Sequence, residues 1–299
     1  MQLIETEIKK RGEPGAESCR LFHGRGHCFP DHTDLLIDWF KPVVLITLYC
    51  QRDEKWLAQL VTLLLSQLDD VKTILLQERF LLNSPSRILF GDLPDQVDAV
   101  EAGLKYRLRL NTAQNIGFFL DMAKGRKVVS ERVKGKKVLN VFAYTCSFSV
   151  IAIASGATQV VNLDMNRGAL ESGRFNHQLN NLDLRKASFL SLEMFRSFNK
   201  LRKLAPFDLI ICDPPAAQGQ SFQVQRDWPK LIRKLPLLLS SGGEILFCLS
   251  SPYLTPQYVE QLVTKYFQRA QLLKIYYPGA CFPEKSHAKG LNILHYRFD

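Results

Sequence analysis

From about Lys136 onward the chain alternates short apolar runs with helical stretches, and this rhythm limits the possible folds more than any other feature. Lys137 to Phe142 reads as a strand, Ser147 to Ala154 as a helix ended by Gly156, and Gln159 to Leu163 as the next strand. A long helix is expected from Gly168 to about Asn180, and Phe207 to Cys212 reads as a buried strand running into Asp213-Pro214-Pro215. Trp228 to Leu239 reads as a helix, ended by Gly242-Gly243, and Glu244 to Leu249 as the strand after it. A helix over Pro256 to Tyr266 and two strands, Leu272 to Tyr277 and Leu291 to Phe298, complete the pattern. Strands separated by helices pair in parallel through crossovers. The last two strands lie too close for a helix between them, so the final one is expected to be antiparallel. The prediction for residues 111–299 is a doubly wound, Rossmann-like α/β domain with a mostly parallel sheet, which binds its ligand at the carboxyl ends of its strands.

The first 110 residues have a different texture and are expected to form a small α+β domain. Leu35 to Tyr49 is rich in β-branched and aromatic residues, and Thr73 to Leu76 and Arg87 to Phe90 look like further strands. One helix is expected, over Asp53 to Leu68, where Trp56, Leu57, Leu60, Leu63 and Leu64 recur at helical spacing. Asn83-Ser84-Pro85-Ser86 and Gly91-Asp92-Leu93-Pro94-Asp95 are turn chemistry, and Leu104 to Leu110 alternates basic and apolar residues as a half-buried strand does. No internal repeat or low-complexity segment interrupts either part.

Composition narrows the class. Hydrophobic residues at 46% and charged residues at 23% are ordinary for a globular protein. No apolar run approaches the roughly 18 to 20 residues of a membrane helix. The charged opening, Glu5, Glu7, Lys9, Lys10 and Arg11, is unlike a signal peptide, so a cytoplasmic location without membrane contact is expected. Seven cysteines, widely spaced and without a Cys-x-x-Cys pair, point to neither a disulfide framework nor a thiolate metal site. His23, His27, Cys28 and His32 fit no standard zinc spacing, and no metal is expected. The net charge of +10, concentrated in Lys105/Arg107/Arg109, Lys124/Arg126/Lys127, Lys134/Lys136/Lys137 and Lys200/Arg202/Lys203, would attract a polyanion such as RNA.

Three features fall at successive strand ends. The turn Asn140 to Ser149 precedes a helix whose first N–H groups can face a nucleotide. Asp164, roughly 20 residues on, ends the second strand where a carboxylate can bond ribose hydroxyls. Asp213-Pro214-Pro215 ends the fourth, with two prolines stiffening the backbone. Singly, each has a plain alternative, as a strand-ending aspartate or a rigid turn. The absence of Gly-x-Gly-x-x-Gly in the first turn argues against a nicotinamide dinucleotide.

Gln114-Asn115-Ile116-Gly117-Phe118-Phe119-Leu120-Asp121 resembles the Gln-x-Thr-Gly-Phe-Phe-Leu-Asp signature of the bacterial large-subunit (23S) ribosomal RNA methyltransferases, a family of cytosine-C5 and guanine-N7 enzymes. Asn140 to Phe148 is similar to that family's Asn-Leu-Phe-Ser-Tyr-Thr-Gly-Gly-Phe cofactor loop, and Val224-Gln225-Arg226-Asp227 to a stretch of its guanine-N7 branch. Arg20 to Gly24 and Gly103 to Tyr106 resemble its small domain. The resemblance implies a class I fold that uses S-adenosylmethionine. It implies a cofactor pocket of Phe142, Ala143, Tyr144, Thr145, Cys146 and Met165, with Asp164 at the ribose, Glu193 near the adenine, and Asp121 folded over the cofactor. Asp213, with Pro214 and Pro215, would lie beside the sulfonium methyl and the target base, and Arg226 would meet phosphate or product charge. Ribosomal RNA is the implied partner, and the family often forms dimers.

Three departures bear on chemistry. Cys146 stands in place of a glycine, Ala217 in place of an aromatic that would stack on a base, and Ser250 in place of the nucleophilic cysteine of the cytosine-C5 branch. Carbon 5 of a pyrimidine becomes nucleophilic only after a thiolate adds to carbon 6, whereas a ring nitrogen with a free lone pair needs only alignment. Cys248 shares a strand face with Ser250 but sits about 6 to 7 Å deeper, and Cys212 reads as a small buried hydrophobe. Guanine N7 is therefore the expected target. Cytosine C5, a catalytically inactive RNA-binding or ribosome-assembly factor, and a small-molecule or protein methyltransferase are the alternatives.

Overall fold

A computed structural model describes residues 1–111, 115–215, 222–251 and 254–299, and the backbone of 217–218. The chain forms two compact units, one of 1–120 with 279–285 and the other of 121–278 with 286–299. Among the described residues no helix is long and apolar enough to cross a membrane.

The first unit opens with a helix that the sequence pattern did not suggest, α1 (Gln2–Arg11), which buries Ile4 and Ile8 on one side and leaves Lys9 and Lys10 in solvent. Strands β1 (Cys19–His23), β2 (Leu35–Phe40) and β3 (Val43–Leu48) follow, then α2 (Glu54–Gln67), capped by the Asp53 carboxylate accepting from the Trp56 N–H. Strands β4 (Thr73–Glu78) and β5 (Ser86–Gly91) complete a sheet in the order β1-β2-β3-β4-β5, parallel only between β3 and β4, as a helical crossover requires. A hairpin of β6 (Asp98–Glu101) and β7 (Leu104–Arg107) stands apart from that sheet. Ile4, Ile8, Leu57, Leu60 and Leu64 pack on Ile37, Trp39 and Ile46, which gives this α+β unit its own core.

The second unit runs α3 (Ala123–Ser130), β8 (Lys137–Val141), α4 (Ser147–Ala154), β9 (Gln159–Asp164), α5 (Arg167–Leu179), β10 (Ala187–Ser191), α6 (Phe198–Leu204) and β11 (Phe207–Cys212). A two-residue pairing of β12 (Ala217–Gln218) with β13 (Phe222–Gln223) leads into α7 (Val224–Lys234), β14 (Leu239–Leu249), α8 (Pro256–Tyr266), β15 (Gln271–Tyr276) and β16 (Asn292–Phe298). The sheet order is β10-β9-β8-β11-β14-β16-β15; the first five are parallel and β16 is antiparallel to both its neighbours.

Side chains alternate across the strands. Leu139, Val141, Ile210, Phe247 and Leu294 meet α6, α7 and α8 on one face, while Val138, Leu209, Ile211, Cys248 and Ile293 meet α3 and α4 on the other. This is the class I doubly wound arrangement that the strand–helix rhythm predicts. The order reverses between β8 and β11, and the carboxyl ends flanking that reversal are the crevice in which such sheets bind ligands. Two details differ from expectation. Gly242 and Gly243 lie inside β14 rather than before it, and α7 begins at Val224, upstream of Trp228.

Candidate active site

The carboxyl ends of four adjacent strands form one edge, and most residues singled out in the sequence stand along it. Val141 pairs with Leu163 and with Cys212, and Leu163 with Leu190, so Phe142, Asp164, Ser191 and Asp213 are the first residues past a common line. The loop after β8 turns sharply. Phe142, Tyr144 and Cys146 all have positive φ, at 61°, 47° and 61°, a conformation that costs non-glycine residues energy and clusters at functional sites. Ala143 N–H donates to the Leu163 carbonyl at 3.0 Å, and Cys146 N–H to the Ala143 carbonyl at 2.7 Å. Cys146 thus occupies a left-handed position that suits glycine, and its side chain is wholly buried. The room comes from α5, where a Cβ on Gly173 would lie 2.4 Å from the Cys146 sulfur. The missing glycine of the loop is answered by a glycine on the facing helix.

Asp164 braces this turn. One carboxylate oxygen accepts from the Tyr144 N–H at 2.8 Å and the other from the Asn166 N–H at 2.8 Å. Thr145 is buried, and its carbonyl accepts from the Asn176 amide of α5 at 3.1 Å. Phe142, Asp164, Met165, Glu193, Met194 and Phe222 line a shallow cleft, with the Phe142 and Phe222 rings edge to face at 5.3 Å. Glu193 turns its carboxylate back on its own loop, accepting from the Phe195 N–H at 3.0 Å and the Arg196 N–H at 2.6 Å. An apolar floor with two carboxylates at its rim is chemically suited to a nucleoside, whose base is flat and whose ribose offers hydroxyl donors.

Asp213 stands beyond β11, beside the start of the β8 loop, with its N–H 3.5 Å from the Val141 carbonyl. Its carboxyl is half-buried and pushed up to about 7, first by loss of hydration and then by the nearby Asp121, with Arg126 opposing. Asp121 lies in the short 3₁₀ turn before α3. Arg126, on α3, is 1% exposed, a guanidinium at the site that sequence reasoning assigned only to a basic surface cluster. Pro214 is buried and Pro215 half-buried behind Asp213. Arg226 is half exposed on α7 and pairs at 2.6 Å with Asp227, which is fully buried. Burial opposes the charge on Asp227, but Arg226, the Gln223 N–H and Lys230 hold its carboxyl well below the usual range. Asp227 therefore anchors the first turn of α7 and fixes Arg226, a part that sequence reasoning missed. Gln114 and the Ala217 side chain lie outside the described residues.

No activated thiol accompanies these groups among the described residues. Cys146, Cys212 and Cys248 are wholly buried, and burial pushes each thiol well above its ordinary value. Ser250, just past β14, is exposed.

Residues 19–297 match the family model of the S-adenosylmethionine-dependent methyltransferases. The chain belongs to this family. Among relatives, the ribosomal RNA large subunit methyltransferase I of Aeromonas salmonicida is 29% identical over 219 residues, 68% of this chain and 55% of the relative. The ribosomal RNA large subunit methyltransferase K/L of Shewanella loihica is 40% identical over 152 residues, 49% of this chain and 21% of that one. This methyltransferase-family chain thus spans about half or less of the length of these curated relatives. A solved structure named provisionally as a methyltransferase, SMU.776 complexed with SAH, is 25% identical with a TM-score of 0.87, covering 99% of this chain and 79% of the other.

Proposed function

We propose that this methyltransferase-family chain transfers a methyl group to a base of large-subunit ribosomal RNA, with guanine N7 as the acceptor. The names of the two relatives support the RNA class, and the net charge of +10 suits a polyanion. The observation that carries the choice of atom is the burial of Cys146, Cys212 and Cys248 as un-ionised thiols, with a serine hydroxyl at position 250. Attack on carbon 6 of a pyrimidine needs a thiolate at the strand ends, while guanine N7 already presents a lone pair.

In this reading Phe142, Met165, Met194 and Phe222 cover the faces of the adenine, and Asp164 and Glu193 accept hydrogen bonds at the rim of the cleft. Bound S-adenosylmethionine supplies a methyl group activated by its sulfonium. Asp213 orients the target base, which must leave its stack to reach the strand ends. A carboxyl tuned to about 7 is available in either protonation state near neutrality. Ionised, it faces the positive charge that develops on a guanine ring as N7 is methylated; protonated, it donates to a carbonyl oxygen of the base. Pro214 and Pro215 restrict where that carboxyl points, and Arg226, fixed by Asp227, meets phosphate. The test is nucleoside mass spectrometry of ribosomal RNA from cells with and without the gene. Loss of 7-methylguanosine is expected; loss of 5-methylcytidine instead, or no change, would overturn the assignment.

A further inference from the structure

Beneath the strand ends runs a chain of polar side chains that the chemistry above does not use. His177 of α5 points Nδ1 at the Gly173 carbonyl at 2.7 Å. A carbonyl only accepts, so Nδ1 carries the proton and the neutral ring leaves Nε2 bare. Nε2 lies 2.9 Å from Ser149 Oγ of α4, which must then donate to it. Ser149 Oγ accepts in turn from Asn162 Nδ2 of β9 at 3.0 Å, and Asn162 Oδ1 accepts from Asn140 Nδ2 of β8 at 2.9 Å. The same Asn162 amide reaches the Ser188 carbonyl of β10 at 3.3 Å. Each bond fixes the direction of the next. Asn140, Ser149, Asn162 and His177 are all buried to 1% exposure or less.

Four buried polar residues cost more than apolar ones of the same size unless every partner is met, and their return is directional. An apolar contact would let α5 slide by fractions of an ångström, whereas this chain ties it to three strands and to α4. The position of α5 matters because its next residues form the wall of the β8 loop. Gly173 touches Cys146, and Asn176 holds the Thr145 carbonyl.

We propose that Asn140, Asn162, Ser149 and His177 are a positioning relay that locks α5 against residues 142–146 and so sets the affinity of the site for its cofactor. This rests on the reading of that loop as the cofactor's seat.

The probe is S-adenosylhomocysteine, followed by calorimetry, by amide hydrogen exchange over 142–149, and by kcat and KM with an RNA acceptor. In the unaltered protein the probe should slow exchange across 142–146. If it binds and leaves those amides unchanged, the loop is not its seat, and the relay falls for that reason. With protection seen, Ser149→Ala should raise Kd about tenfold and speed loop exchange in the free protein, while kcat at saturating cofactor stays within about threefold. His177→Asn keeps a donor near the Gly173 carbonyl but withdraws the acceptor from Ser149, and should behave alike. Because one chain is broken in both, the double variant should lose only about twofold more than either single one. Loop protection together with single variants within about twofold of the parent, or losses that multiply in the double, would overturn the relay. If one variant does not fold, the other decides the outcome.

Discussion

A carboxyl that gives up water without gaining a full set of partners stays protonated longer, and Asp213 is in that position. Its unfolded-state value is 3.8 and its folded value about 7. Below about pH 3 both states keep most of the proton; between about pH 3 and 7 the unfolded chain releases it and the folded chain does not, so stability falls as pH rises through that window. Asp213→Asn removes the penalty. The variant should match the parent near pH 3 and exceed it by about 2 kcal/mol near pH 8, which is about 5 °C in thermal melts. The full shift would give more, but a half-buried group is partly screened by solvent. Melts of the two proteins that coincide at both pH values would show that Asp213 is not destabilised. Such a cost is the common mark of a group placed for chemistry rather than for folding. Asp164 shows the other side of reading single residues. The sequence suggests a strand-ending carboxylate, but not that its two oxygens already brace the Tyr144 and Asn166 N–H groups. Arg126 was hidden differently: in a run of cations nothing local tells a buried guanidinium from exposed lysines, and only the packing of α3 does so.

At the scale of elements, α5 and the β8 loop are fitted to each other through a swap of small and large. Gly173→Ala would place a methyl 2.4 Å from the Cys146 sulfur and 2.8 Å from its Cβ, so helix or loop must move. The expected loss is about 2 kcal/mol, and Cys146→Gly in the same chain should restore most of it, because it empties the space and removes the left-handed strain. Urea unfolding of the parent and the two variants checks this; a double variant no better than Gly173→Ala would refute the fit. Elements with strong periodicity were legible in advance: β8, α4, β9, α5, β11, α8 and the antiparallel last strand fall where their patterns place them. The weaker ones were not. β10 sits at the sheet edge, where half-buried Ser188 and exposed Ser191 dilute the apolar signal. α6 is seven residues long with only Leu201 buried, and α1 is so charged that its two buried isoleucines give little amphipathic contrast. β14 continues through Gly242 and Gly243 because Leu239 pairs with Phe207 and the register shifts before Glu244 meets Leu209; Gly242, at φ 70°, takes up the irregularity.

Taken whole, the molecule carries an excess of ten positive charges, and most of the clustered cations reach solvent. Lys105, Lys124, Lys127, Lys134, Lys200, Arg202 and Lys203 are exposed, whereas Arg126 is buried and Arg107 is committed to Asp98 at 2.6 Å. Affinity for single-stranded ribosomal RNA fragments should fall about fiftyfold between roughly 50 and 200 mM salt if about four phosphates are neutralised. A flat titration would point to an uncharged substrate and against the RNA assignment. The placement of β16 between β14 and β15 has a consequence in time. During synthesis β15 leaves the ribosome before the strand that will hold it, and its backbone groups wait until residues 292–298 arrive to fill the gap. A nascent chain interrupted in that interval leaves the edges of β14 and β15 open to neighbouring polypeptides, an opportunity for misassembly that closes when β16 pairs with both.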